Sequence, residues 1–264
     1  MLVLLLAVVA TAAGWLGHRG SGTQDTGSSE PTPTPAPLLP GAPGLVTPTT
    51  PPPASVPPLG WDVSHPQCGR ALPDTGGFAI VGVTGGRPFT SNSCFKPQYA
   101  WAAGKAGHAV YVNTGYPGRG DPVTYGRSVV DDAVQRERRA GVGGTSVWWL
   151  DVETVNTWEG TTQENATVLD AMAARLQELG ARVGIYSTPR MWSEIAGTWE
   201  PGLPVWYATG PGTQADAAPA CSRSFAGSAP AIVQWVEAVG GHDIDRNLIC
   251  PAYRDRAAEI LDLG

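Results

Sequence analysis

Short runs of Val, Ile, Tyr, Trp and Leu, bounded by Gly, Pro, Asn or Asp, recur along the chain from residue 59 onward. They predict strands at 59–64, 77–84, 108–114, 146–153, 181–187, 203–209 and 231–237, with a fainter one at 242–248. Helical periodicity predicts helices at 97–107, 125–141 and 161–180. The last of these has the clearest signals. Thr161 or Thr162 can cap it, Glu164 lies near its start, Val168, Leu169, Met172, Leu176 and Leu179 form an apolar stripe, and Gly180 follows. The helix at 125–141 carries DD and QRERR, read as a solvated face.

Strands that are apolar on both faces and alternate with helices point to a parallel sheet covered by helices. Seven or eight of them in the folded part suit a compact, irregular TIM-like β/α barrel better than an open doubly wound sheet. The fold class expected is therefore α/β. Neither a P-loop nor a dinucleotide fingerprint is present, since GVTGG around Gly82, Gly85 and Gly86 lacks the required spacing.

The pattern changes sharply before residue 59. Residues 1–17 are almost continuously apolar, with no charge before His18 and Arg19, and read as a signal peptide or short membrane anchor. Ala10-Thr11-Ala12 offers a small-x-small cleavage signal. Residues 18–58, rich in Pro, Ser, Thr and Gly, read as a disordered linker, because repeated Pro extends the chain and nothing there can build a core. The folded domain is expected at 59–264. An extracellular or cell-envelope location follows, with membrane contact only through the first segment.

All four cysteines lie in that domain, and behind an export segment an even number suggests disulfides. Four cysteines allow three pairings. Cys68 with Cys94 and Cys221 with Cys250 are preferred because each closes a sequence-local loop. A net charge of −6, with 17 Lys plus Arg, argues against nucleic acid as a partner. His65, His108 and His242 form no metal pattern, and neither metal nor cofactor is expected; the acids near Asp243 lack the spacing of a calcium loop. A monomer is expected.

The segment VWWLDVE carries the candidate chemistry. Alternation puts Val147, Trp149, Asp151 and Glu153 on one face of a strand and Trp148, Leu150 and Val152 on the other. Two carboxylates closing an apolar row are costly unless paired or shifted in pKa. In a barrel, chemistry gathers at the C-terminal ends of the strands, where Asp151 and Glu153 lie. Asp62 takes the same place on the first strand, and Asp245 sits where a last strand would return beside it. Glycoside hydrolysis uses such a set: a protonated acid for the leaving oxygen, and ionised carboxylates that support an oxocarbenium-like transition state or direct water. Glu153 is the expected acid, with Asp151 raising its pKa by like-charge repulsion and burial pushing the same way.

With GWDVS, WLDVE, VGIYS, VWYA, the QW pair at Gln234 and Trp235, and IDRN in this order, residues 60–250 resemble the family 25 glycoside hydrolases, lysozyme-like muramidases. That resemblance implies an irregular β/α barrel and cleavage between N-acetylmuramic acid and N-acetylglucosamine. It implies Glu153 as proton donor, with Asp62, Asp151 and Asp245 as supporting acids. Trp235, Tyr186, Trp158 and Tyr207 are the aromatic candidates for binding sugar, and peptidoglycan or a related polysaccharide is the expected partner. Two places depart from the family pattern. Gly82 and Gly85 stand where a Lys and then a Glu are common, and in YVNTG Val112 and Asn113 replace a His and an aromatic. The alternative is a cell-wall carbohydrate-binding protein that keeps the barrel without useful turnover.

Overall fold

A computed structural model describes residues 55–239 and 242–263. The expected signal or anchor at 1–17 and most of the expected linker lie outside the described residues. Eight strands close into a barrel: β1 Leu59–Val63, β2 Phe78–Gly82, β3 Gly107–Asn113, β4 Val147–Asp151, β5 Arg182–Ser187, β6 Val205–Pro211, β7 Pro230–Val239 and β8 His242–Ile249. Neighbours pair in sequence order, and β8 pairs with β1. Every pairing in the ring is parallel except those of β8, which runs antiparallel to both β7 and β1. A short β9, Asp262–Leu263, pairs with the start of β3. Among the described residues five α-helices accompany the ring: α1 Phe95–Ala103, α2 Pro122–Arg139, α3 Thr162–Glu178, α4 Pro189–Ala196 and α5 Gln214–Ala217.

The barrel interior is an unusually aromatic core. Phe78, Trp149 and Trp206 fill it with Ile80, Ala109, Val147, Ile232 and Ile249. Large rings fit because glycines face them across the ladders. Gly60 pairs with Phe78 and Gly184 with Trp149, and a Cβ on either glycine would lie 2.6 or 2.3 Å from the ring opposite. The alternate residues of the same strands, among them Val63, Val81, Trp148, Leu150 and Val152, form the outer core beneath the helices. This is the alternation expected of β4.

Three details differ from the sequence expectation. The chain enters the fold three residues earlier, since Val56 is buried in the interior core and the Pro58 carbonyl accepts from Ile249 N–H at 2.8 Å. Leu179 is 42 % exposed rather than part of the α3 stripe, because the helix ends at Glu178 and Leu179 serves as its C-cap. Glu137, placed by its neighbours on a solvated face, is buried; its carboxylate accepts from the backbone N–H and hydroxyl of Thr145. At the start of α3, Thr161 and Glu164 form a reciprocal capping box. α4 and α5 had no counterpart in the periodicity, being too short to establish one, though Thr188 and Thr213 cap them.

Two disulfides link Cys68 to Cys94 and Cys221 to Cys250, each with Cα atoms 5.5 Å apart. The first ties the loop after β1 to the start of α1, and the second ties the segment after α5 to the end of β8. Among the described residues no helix is long and apolar enough to cross a membrane.

Candidate active site

The parallel strands all point their C-terminal ends toward one mouth, where inward-facing positions turn from apolar to polar. Trp149 is followed on the same face by Asp151, Gly60 by Asp62, and Ile232 by Gln234. Because β8 is antiparallel, its beginning rather than its end reaches this mouth, and Asp245 stands directly opposite Asp62. A cleft of about 380 Å³ opens there, lined by Asp62, Asp151, Glu153 and Asp245 and by Tyr111, Tyr186, Trp206 and Gln234.

Asp62 is buried and held by two amides: its Oδ2 accepts from Asn247 Nδ2 at 2.7 Å and Gln234 Nε2 at 3.0 Å. Those amides are themselves fixed. Tyr186 Oη donates to Gln234 Oε1 at 2.9 Å, and Trp206 Nε1 donates to Asn247 Oδ1 at 2.8 Å. Asp151 is buried beside it, with Oδ2 accepting from Asn113 Nδ2 and Oδ1 lacking a protein donor. Glu153 lies two residues past the end of β4, half-buried, with its backbone carbonyl accepting from Trp158 Nε1 at 3.0 Å.

Desolvation sets the electrostatics. Burial pushes Asp62 and Asp151 well above the usual carboxylate range. The Asp245 charge adds to the effect on Asp62, the Glu153 charge to that on Asp151, and hydrogen bonds from the neighbouring amides oppose it. Glu153 is raised by burial, and Asp245 is pushed up to about 6 by burial, Glu153 and Asp243. One expected cause is corrected here. Like-charge repulsion within the Asp151–Glu153 pair falls on Asp151, the more deeply buried partner. For Glu153, the hydrogen bond with Asp151 acts downward against burial. The arrangement can hold protons near neutral pH next to groups able to carry charge, which is what an acid–base pair needs.

The aromatic candidates divide. Tyr186 lines the cleft. Trp235 does not: it is buried on the outer face of β7 with Val233, Leu248 and Cys250, and Gln234 is the inward residue of that pair. Tyr207 likewise faces outward, packed edge-on to Phe225, and Trp206 takes the interior position. Tyr207 lines an adjoining groove of about 430 Å³ that shares Thr188 and Ala208 with the cleft. Trp158 is part of the outer core and braces Glu153 through its indole N–H rather than lining the cleft. Sequence reasoning missed Tyr111, Asn113, Gln234, Asn247 and Trp206 as site residues. Strand parity counted from Asp151 and Asp62 along the paired ladders is the signal that finds them.

A closed barrel with a carboxylate-rich mouth defines a glycoside-hydrolase-type architecture. The family model described as Lysozyme-like protein 1 matches residues 75–234, and the chain belongs to that lysozyme-like family, as a divergent relative of the family 25 glycoside hydrolases. It is 35 % identical over 68 residues to a probable GH family 25 lysozyme 4 of Dictyostelium discoideum, covering 25 % of this chain. That match spans about a third, 32 %, of the curated relative's length. Among solved structures, the fold is similar to GHIP, a glycosyl hydrolase 25 of Streptococcus pneumoniae, with a TM-score of 0.56 at 18 % identity over 78 % of this chain and 94 % of that one. It is also similar to the modular autolysin LytC of Streptococcus pneumoniae in complex with a synthetic peptidoglycan ligand, with a TM-score of 0.51 at 12 % identity over 72 % and 46 %.

Proposed function

We propose that the protein is an exported cell-wall hydrolase that cleaves the bond between N-acetylmuramic acid and N-acetylglucosamine in peptidoglycan. The observation that carries this reading is the convergence of Asp62, Asp151, Glu153 and Asp245 on one cleft, from segments as distant in sequence as β1 and β8. Family membership and the likeness to a barrel solved with a peptidoglycan ligand support it. Glu153, the least confined of the Asp151–Glu153 pair, is assigned the proton delivered to the leaving oxygen. Asp151, buried beside it in the cleft, supports the charge that develops on the sugar. Asp62, held by Gln234 and Asn247, and Asp245 act as electrostatic and positioning groups around the same ring. Tyr186 and Trp206 offer aromatic surface at the cleft. Residues 1–17 are assigned to export or anchoring and the following Pro-rich stretch to a spacer that gives the barrel reach into the wall.

The decisive experiment digests purified walls with the full chain and with Glu153→Gln. New reducing ends at N-acetylmuramic acid are expected from the wild type, with a loss of about 100-fold to 10,000-fold in the variant and wall binding retained. Wall binding without reducing ends from the folded wild type would replace the hydrolase with the carbohydrate-binding protein.

A further inference from the structure

Asn113 stands at the end of β3 as the direct ladder neighbour of Asp151, at a position where the family pattern noted above has an aromatic. Its amide is locked. Oδ1 accepts from Thr84 Oγ1 at 2.6 Å and from Gly86 N–H at 3.1 Å, while the Asn113 backbone N–H donates to the same Thr84 hydroxyl at 3.0 Å. A backbone N–H can only donate, so the amide oxygen must lie on the Gly86 side and the NH₂ must face Asp151. Turning the amide over would break both bonds to Oδ1 and set the NH₂ against the Gly86 N–H. Asp151 is also gripped through its main chain, since the Thr114 N–H and hydroxyl both donate to its carbonyl. The strand-end segment 113–114 thus fixes Asp151 from both sides.

We infer that Asn113 is a positioning residue for acid catalysis: its amide claims Asp151 Oδ2, holds that carboxyl in place at the cleft, and biases the proton of the Asp151–Glu153 pair toward Glu153. The inference rests on the hydrolase reading for its use and on the geometry for its existence. A hydrogen bond donated to a carboxylate stabilises its charged form. Asp151, deeper in the barrel than Glu153, would otherwise be the partner that keeps the proton, because burial penalises its charge more. The amide opposes that bias at the one oxygen it reaches. When Glu153 passes its proton to the glycosidic oxygen, the new Glu153 carboxylate is left beside Asp151, and the Asn113 bond remains in place to hold the Asp151 charge. The other groups facing Asp151 are Asp62, Tyr111 and Tyr186. The carboxylate among them adds like charge and the phenols keep their protons, so none of them substitutes for the amide as a fixed donor to Oδ2.

The test compares the full-length wild type with Asn113→Leu, similar in size but without a donor, and with Thr84→Val, which removes one bond holding the amide. Asp151 and Glu153 titrations are read by carboxyl carbon NMR, alongside pH profiles of turnover on walls. For Asn113→Leu, Asp151 is expected to titrate about one pH unit higher, given the usual strength of a hydrogen bond to a charged group. The acidic limb of kcat/KM, which reports the carboxylate that must be ionised, should move up with it, kcat should fall about tenfold, and KM should stay within about twofold. Thr84→Val should shift both in the same direction by less, and it carries the test if Asn113→Leu fails to fold. Coincident Asp151 titrations in variant and wild type, both folded by near-UV circular dichroism, would overturn the inference whatever the activity. A shifted Asp151 titration in a wild-type background that never yields reducing ends would uphold the role of Asn113 and refute the hydrolase reading alone.

Discussion

Gly82 and Tyr111 are direct partners across β2 and β3, and a Cβ on the glycine would lie 2.6 Å from Tyr111 Cζ and 2.8 Å from its hydroxyl oxygen. The position where the family pattern has a long polar side chain is thus filled from the neighbouring strand. Tyr111 lies over Gly82, lines the cleft, and meets Trp206 edge-on with ring centroids 6.3 Å apart. The departure at Gly82 exchanges one wall for another and leaves no hole.

This pair gives a double-mutant test. Gly82→Ala should destabilise the fold by about 1–3 kcal/mol through overpacking. In a Tyr111→Ala background the same change should cost less, because the ring is gone. Urea denaturation of the four proteins measures the coupling, and strictly additive effects would contradict the packing described.

The crowded carboxylates predict a cost in stability at neutral pH. Asp245 titrates near 6 when folded, above its ordinary value of 3.8, so the folded state holds its proton more tightly than the unfolded chain does. Stability from this group is fullest below pH 3.8 and falls as pH rises through 6. Asp245→Asn should therefore raise the melting temperature by several degrees at pH 7.5, on the order of 1–3 kcal/mol. At pH 3.5 the gain should vanish. Thermal melts across this range check the sign, and a gain confined to low pH would reverse the assignment.

Trp235, Tyr186 and Trp158 should separate by kind of effect. Trp235→Ala removes a buried outer-core ring and should cost about 3–5 kcal/mol of stability while leaving KM of the folded fraction unchanged. Tyr186→Phe deletes the donor to Gln234 and should act on turnover, since Gln234 in turn holds Asp62. Trp158→Phe should lower kcat by loosening the Glu153 carbonyl. Steady-state kinetics with chemical denaturation resolves the three.

Peptide mapping of the unreduced protein should recover Cys68 linked to Cys94 and Cys221 linked to Cys250. Reduction of the second pair should destabilise the protein by about 2–4 kcal/mol, because it closes a loop of 29 residues between the segment after α5 and β8.

The strands, the longer helices and the central acids were legible in the sequence because they depend on local quantities. Alternation along 147–153 placed Asp151 and Glu153 opposite Leu150 and Val152, and the same period put Asp62 beside Gly60 on the inward face. Local pattern could not decide whether Trp235 or Gln234, and Tyr207 or Trp206, faces the cleft, because both faces of these barrel strands are apolar or amphipathic and parity has no reference until the neighbouring ladders set the register. Nor could it show that Asp245 meets Asp62, which requires β8 to run antiparallel and close the ring. The locked Thr84–Asn113–Asp151 chain belongs to the same class. Its members are 29 and 38 residues apart, and only the lateral pairing of β2, β3 and β4 ends brings their short side chains within hydrogen-bond reach. Sequence by itself determined which groups were available and which residues of a strand share a face. The tertiary structure decided which of them share a buried, low-dielectric mouth, and there burial and closure shift the carboxylates' protons.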